Sequence, residues 1–456
     1  MSDTLHFPVV IVGAGGTGLT AALAVTDAGL DALVIERDST PLGSTAMSTG
    51  LIPAAGTPEQ AAAGIDDDPA RFTADILAKT KGATDSVIAL RLAEESAETI
   101  AWLRDAHGVP LSLADGWLYP GHSAKRMYGT PNRSGGELMA ALQTATEQAG
   151  AMILTDATVV ELVTEGDRVT GLVMQRPDGS REAIGCDTLI LACSGVGGDA
   201  AQVARWIPDM AEAVYHGHPG NKGDAVRWGE ALGAAVADMS AYQGHGGLAA
   251  GHGIPILWPL IMEGGFQVNA AGWRFSNEAS GYSEQAARVN AQPGHVAWSI
   301  FDERLHQLMM GFDDYQEAIR AGAVIRAETL AELAAAAKLP ADALGETVAA
   351  VAALVRGDGV DGFGRDFTGK PELAPPWYAA KVTGALFHTQ GGLVVDGDAR
   401  VLKPDGTPMP NLFAGGGAAR GISGTGADGY MAGNGLLTAT TFGKLAGRAA
   451  AAQVKG

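Results

Sequence analysis

The sequence has few cysteines and no long apolar run, and each of these absences excludes a class of protein. Only Cys186 and Cys193 occur in 456 residues. Two thiols in one strand-like region cannot form a disulfide framework, so a reducing compartment is favoured. No apolar run approaches the ~20 residues that a membrane-spanning helix needs. The first residues also lack a basic stretch followed by an apolar one, which would mark a secretory signal. These features predict a cytoplasmic protein without a membrane span.

Basic clusters are missing as well. The chain carries 31 Lys and Arg against 51 Asp and Glu, a formal net charge of −20. No basic run suits nucleic acid or an anionic membrane, so neither partner is predicted. No cluster of histidine and cysteine suggests a bound metal. The acidic triplet at 66–68 is predicted to be a solvated turn.

Glycine is abundant instead, with 64 residues, and one cluster follows directly on a predicted strand. Residues 9–12 are apolar and β-branched, which is typical of a buried parallel strand. Gly-Ala-Gly-Gly-Thr-Gly occupies 13–18, a helical run follows over 19–29, and a second strand over 32–35 ends at Glu36. With the acid at about the expected 20-residue offset, this order predicts a dinucleotide-binding unit.

Each part of this fingerprint has a physical reason. Gly13 permits a tight turn, Gly15 lets the backbone approach a pyrophosphate, and Gly18 allows close packing of helix and strand. The helix N-terminus then faces the phosphates, and Glu36 can bind a ribose hydroxyl.

Further segments resemble the flavoprotein superfamily of fumarate reductase and succinate dehydrogenase. Residues 41–50 resemble its Gly-Gly-x-Thr-x-x-Ser-x-Gly loop beneath the flavin, 153–161 its strand near the adenine, and 188–195 its Leu-Ala-Thr-Gly-Gly turn. The segment 220–239 resembles its Gly-Asp-Gly helix and exit. The resemblance covers nearly the whole chain and implies FAD. It implies noncovalent FAD, because no histidine occupies 41–50, where covalent members carry one.

The fingerprint and the resemblance together predict the residues that contact FAD. These are Gly13, Gly15, Gly16, Thr17, Gly18, Glu36, Arg37, Ser44, Thr45, Ser48, Gly50, Val159, Ser194, Gly195, Gly416, Gly417, Asn434 and Leu436. One departure stands out among them. Gly416 occupies the position where most relatives have a glutamate that binds the ribityl chain, so a backbone amide or water is expected to replace that contact.

The implied fold class is α/β, a Rossmann-like FAD-binding domain with an inserted α+β cap. Residues 1–239 and 382–456 are predicted to form the FAD-binding domain, and 240–381 the cap. Alanine-rich helices are predicted at 328–338 and 341–356 within the cap. A closing helix over 435–451 would point its N-terminus at the pyrimidine edge of the flavin and stabilise negative charge there.

The reactive positions also come from the resemblance. His245 fits the family's Gln-x-His position, and His388 its His-Thr-x-Gly-Gly position; both contact substrate in the dicarboxylate enzymes. That branch has arginines where this chain has Tyr282 and Tyr430. The segment 274–282 is close to the Arg-Phe-x-Asn-Glu-x-x-x-Tyr pattern of 3-ketosteroid Δ1-dehydrogenases, whose tyrosine removes the proton next to the carbonyl.

The resemblance thus implies a ketone desaturase. Tyr282 would take the α proton, flavin N5 the β hydride, and Tyr430 with the amide of Gly433 would stabilise the developing enolate. Since a free tyrosine has a pKa near ~10, Tyr282 needs a nearby cation or a hydrogen-bond network, which His245 or His388 could supply. Arg274 and Glu278 are predicted to form a structural ion pair. Arg420 is predicted to be an exposed charge or a ligand for an acidic group on the substrate.

The expected substrate is a cyclic ketone, either a small cyclohexanone such as 4-oxocyclohexanecarboxylate or a 3-ketosteroid. Oxygen or an electron carrier would accept the electrons. Two other functions stay open. One is a fumarate reductase-like ene-reductase or dicarboxylate dehydrogenase, which the two missing arginines disfavour because a phenol replaces a bidentate cation. The other is a flavin-binding scaffold without catalysis, which the polar groups at all four reactive positions disfavour.

Overall fold

The computed structural model describes residues 5–116 and 118–456. The chain divides into two compact units. Unit 1 contains residues 1–207, 217–242 and 388–456, and unit 2 contains 208–216 and 243–387. The functional assignment of 240–381 as a cap stays a prediction. Among the described residues, no helix combines the length and the apolar character that crossing a bilayer requires.

The strands, in chain order, are β1 Leu5–Val12, β2 Ala32–Ile35, β3 Ile52–Pro53, β4 Ser112–Ala114, β5 Met127–Gly129, β6 Met152–Leu154, β7 Thr158–Glu165, β8 Arg168–Gln175, β9 Arg181–Leu191, β10 Val214–Tyr215, β11 Val236–Ala237, β12 Tyr242–Ala249, β13 Phe266–Val268, β14 Val296–Asp302, β15 Val324–Ala327, β16 Trp377–Thr389, β17 Gly392–Leu393, β18 Arg400–Leu402 and β19 Pro408–Ala414.

The α-helices are α1 Gly16–Asp27, α2 Gly43–Ala46, α3 Pro58–Ala62, α4 Pro69–Lys79, α5 Ser86–Asp105, α6 Gly135–Gln148, α7 Ala200–Trp206, α8 Asp224–Ala231, α9 Pro259–Met262, α10 Tyr282–Asn290, α11 Glu303–Met309, α12 Asp313–Arg320, α13 Leu330–Ala337, α14 Ala341–Val355 and α15 Asn434–Lys455. Short 3-10 helices span Pro208–Met210, Glu278–Ser280, Pro293–His295 and Gly416–Ala418.

Unit 1 is built on an eight-stranded sheet whose centre is parallel. Its main path runs β18-β19-β9-β1-β2-β6, and β8 joins β7 to β9. Val9 pairs with Ala32 on one side and Thr188 on the other. Residues 9–12 of β1 are buried because helices cover this part of the sheet; α1 packs along α15. The predicted strand, glycine turn, helix and second strand are confirmed, and so is the α/β fold class.

The predicted single strand over 153–161 is wrong, because the chain breaks there into β6 and β7. Asp156 lies between them with a φ of +54°, a left-handed conformation that ends an extended run. Its amide donates to the Asp38 carbonyl, and the Ala157 amide donates to that of Glu36 at 2.9 Å. β6 therefore pairs in parallel with β2, and β7 turns away to pair with β8.

Unit 2 contains a six-stranded sheet arranged around β16, with β10, β12, β14 and β15 as its neighbours and β13 beyond β14. β14 and β15 run antiparallel to β16. Helices α13 and α14 pack their apolar faces on a buried cluster of this unit. They confirm the two predicted alanine-rich helices, with ends shifted by at most two residues.

The acidic triplet at 66–68 is not a solvated turn throughout. Asp66 is exposed, but the side chain of Asp67 is fully buried against the equally buried Arg126 at 2.8 Å. Asp68 caps α4 and accepts a hydrogen bond from the Arg71 amide. The prediction was wrong for Asp67, because its cation lies 59 residues further along the chain.

Candidate active site

The glycine turn of unit 1 has the steric tightness that its sequence predicts. Gly13 has a φ of +103°, and a Cβ there would lie 2.6 Å from the Ala192 carbonyl oxygen. A Cβ on Gly18 would lie 1.8 Å from the carbonyl oxygen of Gly13. By contrast, a Cβ on Gly15 would meet only the Thr45 hydroxyl, at 3.9 Å. The turn is therefore closed at Gly13 and Gly18 and open at Gly15, where a ligand can approach the backbone.

Glu36 stands at the end of β2 beside this turn. Its carboxylate accepts hydrogen bonds from the amides of Ala14 at 2.8 Å and Asp38 at 3.1 Å. A carboxylate has about four acceptor sites, so capacity for a ribose hydroxyl remains. The neighbouring Arg37 pairs with Asp224 at 2.8 Å.

The predicted flavin loop packs against the start of α1. The amide of Gly16 donates to the Thr45 hydroxyl at 3.1 Å. Ser48 donates to the carbonyl of Thr45 and accepts from the amide of Gly50. The hydroxyl of Ser44 accepts from the side chain of Asn221 at 2.9 Å. The bond from Gly16 joins the loop to the glycine turn, the bonds of Ser48 lie within the loop, and that of Ser44 joins it to Asn221.

The remaining predicted cofactor residues lie on neighbouring elements of unit 1. Val159 is on β7, and Ser194 and Gly195 follow β9, Ser194 with a φ of +65°. Gly416 has a φ of +57°, and a Cβ there would lie 2.3 Å from the Thr17 hydroxyl oxygen. A side chain at 416 would therefore require the Thr17 hydroxyl to move. Gly417 lies beside Ser194.

Asn434 begins α15, one residue before the predicted start of the closing helix, and Leu436 is half-buried in its first turn. The amide nitrogen of Asn434 donates to the Ser423 hydroxyl at 3.4 Å. Its amide oxygen is buried without a hydrogen-bond partner in the part of the chain that the structure describes. Since such an orphaned acceptor is costly, it is suited to a ligand that brings a donor.

A hydrogen-bond chain orients His388 in unit 1. Ser423 donates to the Gln390 side-chain oxygen at 2.9 Å, and the Gln390 nitrogen lies 2.9 Å from Nδ1 of His388. With the Gln390 nitrogen as donor, Nδ1 of the neutral ring accepts and Nε2 carries the proton. The Thr389 carbonyl oxygen, 3.3 Å from Nδ1, can accept from Nδ1 only when the ring is protonated there. The ring packs edge-on against the buried Tyr430, with centroids 5.7 Å apart. Gln390 and Ser423 were missed at the sequence level, although Gln390 is the variable residue of the histidine motif.

In unit 2, His245 and Tyr282 belong to one aromatic cluster. The His245 ring stacks on Phe387 at 5.2 Å, meets Trp258 edge-on, and lies 5.4 Å from the Tyr282 ring. Its Nδ1 accepts from the amide of Gly247 at 3.1 Å. The structure thus brings the predicted His245 and Tyr282 together, as it does His388 and Tyr430 in unit 1.

Both histidines are uncharged at neutral pH. Burial lowers the pKa of His245 to about 3, helped by the nearby His216. Burial also lowers the pKa of His388 to about 4, although the Thr389 carbonyl favours the protonated ring and opposes this shift. The prediction that one of these histidines assists Tyr282 as a nearby cation is therefore wrong, because desolvation disfavours the charged imidazolium. The hydrogen-bond network remains.

Arg420 is not the exposed charge that was one of its two predicted roles. Its guanidinium pairs with Asp238 at 2.6 Å and with Asp85 at 3.4 Å, and its side chain is 20% exposed. The two carboxylates already neutralise this cation, so it has little capacity left for an acidic substrate group.

The predicted ion pair of Arg274 and Glu278 is confirmed, and it is part of a larger buried network. Arg274 binds Glu278 through two nitrogens, each at 2.9 Å, and also contacts Asp361. Arg365 adds a second cation on Glu278. Asp361 and Arg365 were missed because each lies 87 residues from its partner along the chain. Among the described residues, no group of histidine, cysteine and acidic side chains is arranged to hold a metal.

Comparison with known proteins identifies the family of this chain. The model of the FAD binding domain family matches residues 8–436. Over 447 residues, the chain is 28% identical to a probable fumarate reductase, Ifc3, from Shewanella frigidimarina, covering 97% of this chain and 74% of that protein.

Two further relatives act on ketones according to their names. Over 355 residues the chain is 30% identical to a 4-oxocyclohex-2-ene-1-carboxylate 5-dehydrogenase from Sinomonas cyclohexanicum, covering 69% of this chain and 59% of that protein. The structure is similar to that of a 3-ketosteroid-Δ4-(5α)-dehydrogenase from Rhodococcus jostii. The TM-score is 0.79 at 26% identity, over 99% and 98% of the two chains.

Proposed function

The chain belongs to the FAD binding domain family of oxidoreductases, and from that membership we propose that it desaturates a cyclic ketone next to its carbonyl group. FAD is the cofactor, and bound FAD supplies the acceptor for a hydride. The residues present fit it: the open backbone at Gly15, the carboxylate of Glu36 and the orphaned amide oxygen of Asn434. The FAD is proposed to be noncovalent.

One observation carries the choice of a ketone as the reacting group: the two histidines proposed to contact the substrate are uncharged, and the arginine proposed there is already paired with carboxylates. The pKa values of His245 and His388 lie at about 3 and 4, and tyrosines replace the family's two arginines. Arg420 is paired with two carboxylates. A dicarboxylate substrate is best bound by bidentate cations, whereas a ketone oxygen needs only hydrogen-bond donors.

Tyr282 is proposed to remove the α proton. It is the first residue of α10, and helical side chains lean towards the N-terminus. The positive end of the helix dipole therefore favours a phenolate over a phenol. The neighbouring His245 ring stays neutral, so it is not an imidazolium that could protonate the Tyr282 phenolate. Tyr430 and the amide of Gly433 are proposed to donate hydrogen bonds to the carbonyl oxygen as negative charge develops on it.

The aromatic cluster around Tyr282 supports a fairly apolar ring as the substrate. Phe387, His245 and Trp258 offer flat apolar surfaces of the kind that pack against a ring. The two ketone-acting relatives support the same class. A cyclohexanone such as 4-oxocyclohexanecarboxylate and a 3-ketosteroid are both proposed, with oxygen or an electron carrier as the final acceptor.

The second candidate function is reduction of the C=C bond in a dicarboxylate such as fumarate, or the reverse oxidation of the saturated dicarboxylate. It is favoured by the 28% identity with the Shewanella fumarate reductase over 97% of this chain. Against it stand the tyrosines at both arginine positions, since a phenol cannot bind a carboxylate as a guanidinium does.

Product analysis separates the two candidates. The holoenzyme is incubated separately with 4-oxocyclohexanecarboxylate, a saturated 3-ketosteroid and succinate, each with an artificial electron acceptor, and the products are identified by mass spectrometry. The proposal expects a conjugated enone that has lost one hydrogen at the α carbon and one at the β carbon. Conversion of succinate to fumarate, with both ketones unchanged, would instead support the second candidate.

A further inference from the structure

A buried histidine that the sequence analysis did not single out holds the peptide group whose N–H is proposed to meet the substrate. His122 is 6% exposed, and its Nε2 lies 3.0 Å from the carbonyl oxygen of Ala432. That carbonyl and the Gly433 amide belong to the same peptide group. The turn before His122 also packs on the loop that carries Ala432 and Gly433, since a Cβ on Gly121 would lie 3.2 Å from the side chain of the adjacent Met431.

The partner on the other side of the ring fixes the tautomer of His122. Nδ1 lies 3.2 Å from a guanidinium nitrogen of Arg126. Because arginine can only donate, Nδ1 accepts, and the ring proton lies on Nε2. Burial first, and the charge of Arg126 second, lower the pKa of His122 to about 4. The neutral ring therefore donates from Nε2 to the Ala432 carbonyl.

Arg126 is itself held rigidly. It is fully buried and binds both oxygens of Asp67, at 2.8 and 2.9 Å. Its third nitrogen also binds Asp75 at 2.7 Å, and the guanidinium lies 4.4 Å from the centre of the Phe72 ring. Two carboxylates and an aromatic face thus fix the cation that fixes His122. Such a network restricts the loop to one arrangement.

The orientation of the Gly433 N–H follows from the geometry of the peptide. The cis peptide found among the described residues is at Pro375–Pro376, so the peptide between Ala432 and Gly433 is trans. In a planar trans peptide the C=O and the N–H point in opposite directions. With its oxygen bound to His122, the group directs the Gly433 N–H away from that ring. A hydrogen bond at the oxygen also strengthens the N–H as a donor.

Glycine is needed at 433 for this geometry. Its φ is +82°, and a Cβ would lie 2.6 Å from Cδ of Pro53. The residue caps the 22-residue helix α15, whose dipole favours negative charge at the same end.

We propose that His122, held by Arg126, is a positioning residue that aims and polarises the Gly433 amide towards the carbonyl oxygen of the substrate. This role rests on the proposed ketone desaturation. It adds a series of hydrogen bonds that runs from Asp67 and Asp75, through Arg126 and His122, to the Gly433 peptide group that is proposed to stabilise the enolate.

Two conservative variants test the role. In His122→Gln the side-chain amide reaches the place of Nε2 and can still donate to Ala432. In His122→Asn it reaches only the place of Nδ1, so it can accept from Arg126 but not donate to Ala432. Each holoenzyme is assayed for the anaerobic rate of flavin reduction by a ketone. Changes in flavin absorbance also measure how tightly each holoenzyme binds two ligands. Para-nitrophenolate mimics a cyclic enolate, whereas nitrobenzene has no oxyanion.

His122→Asn is expected to lower both the reduction rate and the phenolate affinity by about tenfold or more, since an oxyanion donor contributes ~10²–10³-fold. His122→Gln should retain most of both, and nitrobenzene affinity and FAD content should not change in either variant. Equal phenolate affinity in the two variants, or parallel losses of FAD and of both ligands, would overturn the role. If no ketone reduces the wild-type flavin, the proposed function fails, but the phenolate affinities still decide whether His122 positions the amide.

Discussion

Replacing Tyr282 by phenylalanine is expected to slow flavin reduction by a ketone ~10²–10⁴-fold, the usual contribution of a positioned acid or base. Phenylalanine keeps the ring contacts with His245 and Trp258 and removes only the oxygen that is proposed to take the α proton. FAD content should therefore be unchanged, and substrate affinity should change little. The rate is measured by stopped-flow absorbance under anaerobic conditions, with the ketone in excess.

Tyr378→Phe in the same unit is the matched control. Its hydroxyl donates to Glu303 at 2.6 Å and accepts from Arg326, so the change also removes a partly buried hydroxyl, but not from the predicted reactive cluster. The control should reduce its flavin at nearly the wild-type rate. A Tyr282→Phe enzyme as fast as this control would show that another group takes the proton.

Gly18→Ala is expected to abolish FAD binding. The added methyl would lie 1.8 Å from the backbone oxygen of Gly13 and 3.3 Å from Ile11. Backbone cannot move aside as a flexible side chain can, so α1 must shift away from the glycine turn that is predicted to receive the pyrophosphate. The ratio of flavin to protein absorbance in the purified protein measures the effect.

Gly345→Ala serves as the control, because a Cβ there meets no atom within 4 Å and alanine favours the helix. It should bind FAD like the wild type. Acid precipitation of the wild type and of Gly345→Ala should release the flavin into the supernatant, as noncovalent binding requires. Full FAD content in Gly18→Ala would contradict the role of this turn, and flavin retained in the precipitate would contradict noncovalent binding.

The parts of the fold that follow from local sterics were predictable from the sequence. Positions 13 and 18 require glycine because any Cβ there would clash with neighbouring backbone, and a turn with this requirement has a recognisable sequence pattern. The ion pair of Arg274 and Glu278 is also local, since the two residues are four apart. The break at Asp156 could not be predicted, because it depends on hydrogen bonds to a different strand end.

The parts of the site that depend on distant partners were not predictable either. Asp67 is buried rather than solvated because Arg126 meets it, and His122 acts on a carbonyl 310 residues away. The charge state of the two predicted histidines follows from their burial, which a single sequence does not give. Residue types at motif positions were thus informative, whereas their electrostatic surroundings needed the structure.

Anaerobic bleaching of the bound flavin tests the central claim most directly. The purified holoenzyme is mixed separately with cyclohexanone, 4-oxocyclohexanecarboxylate, a 3-ketosteroid and succinate, and the flavin absorbance is followed. Ketone desaturation predicts rapid bleaching by at least one ketone and none by succinate. Bleaching by succinate alone, or reoxidation of the reduced enzyme by fumarate but not by an enone, would contradict it.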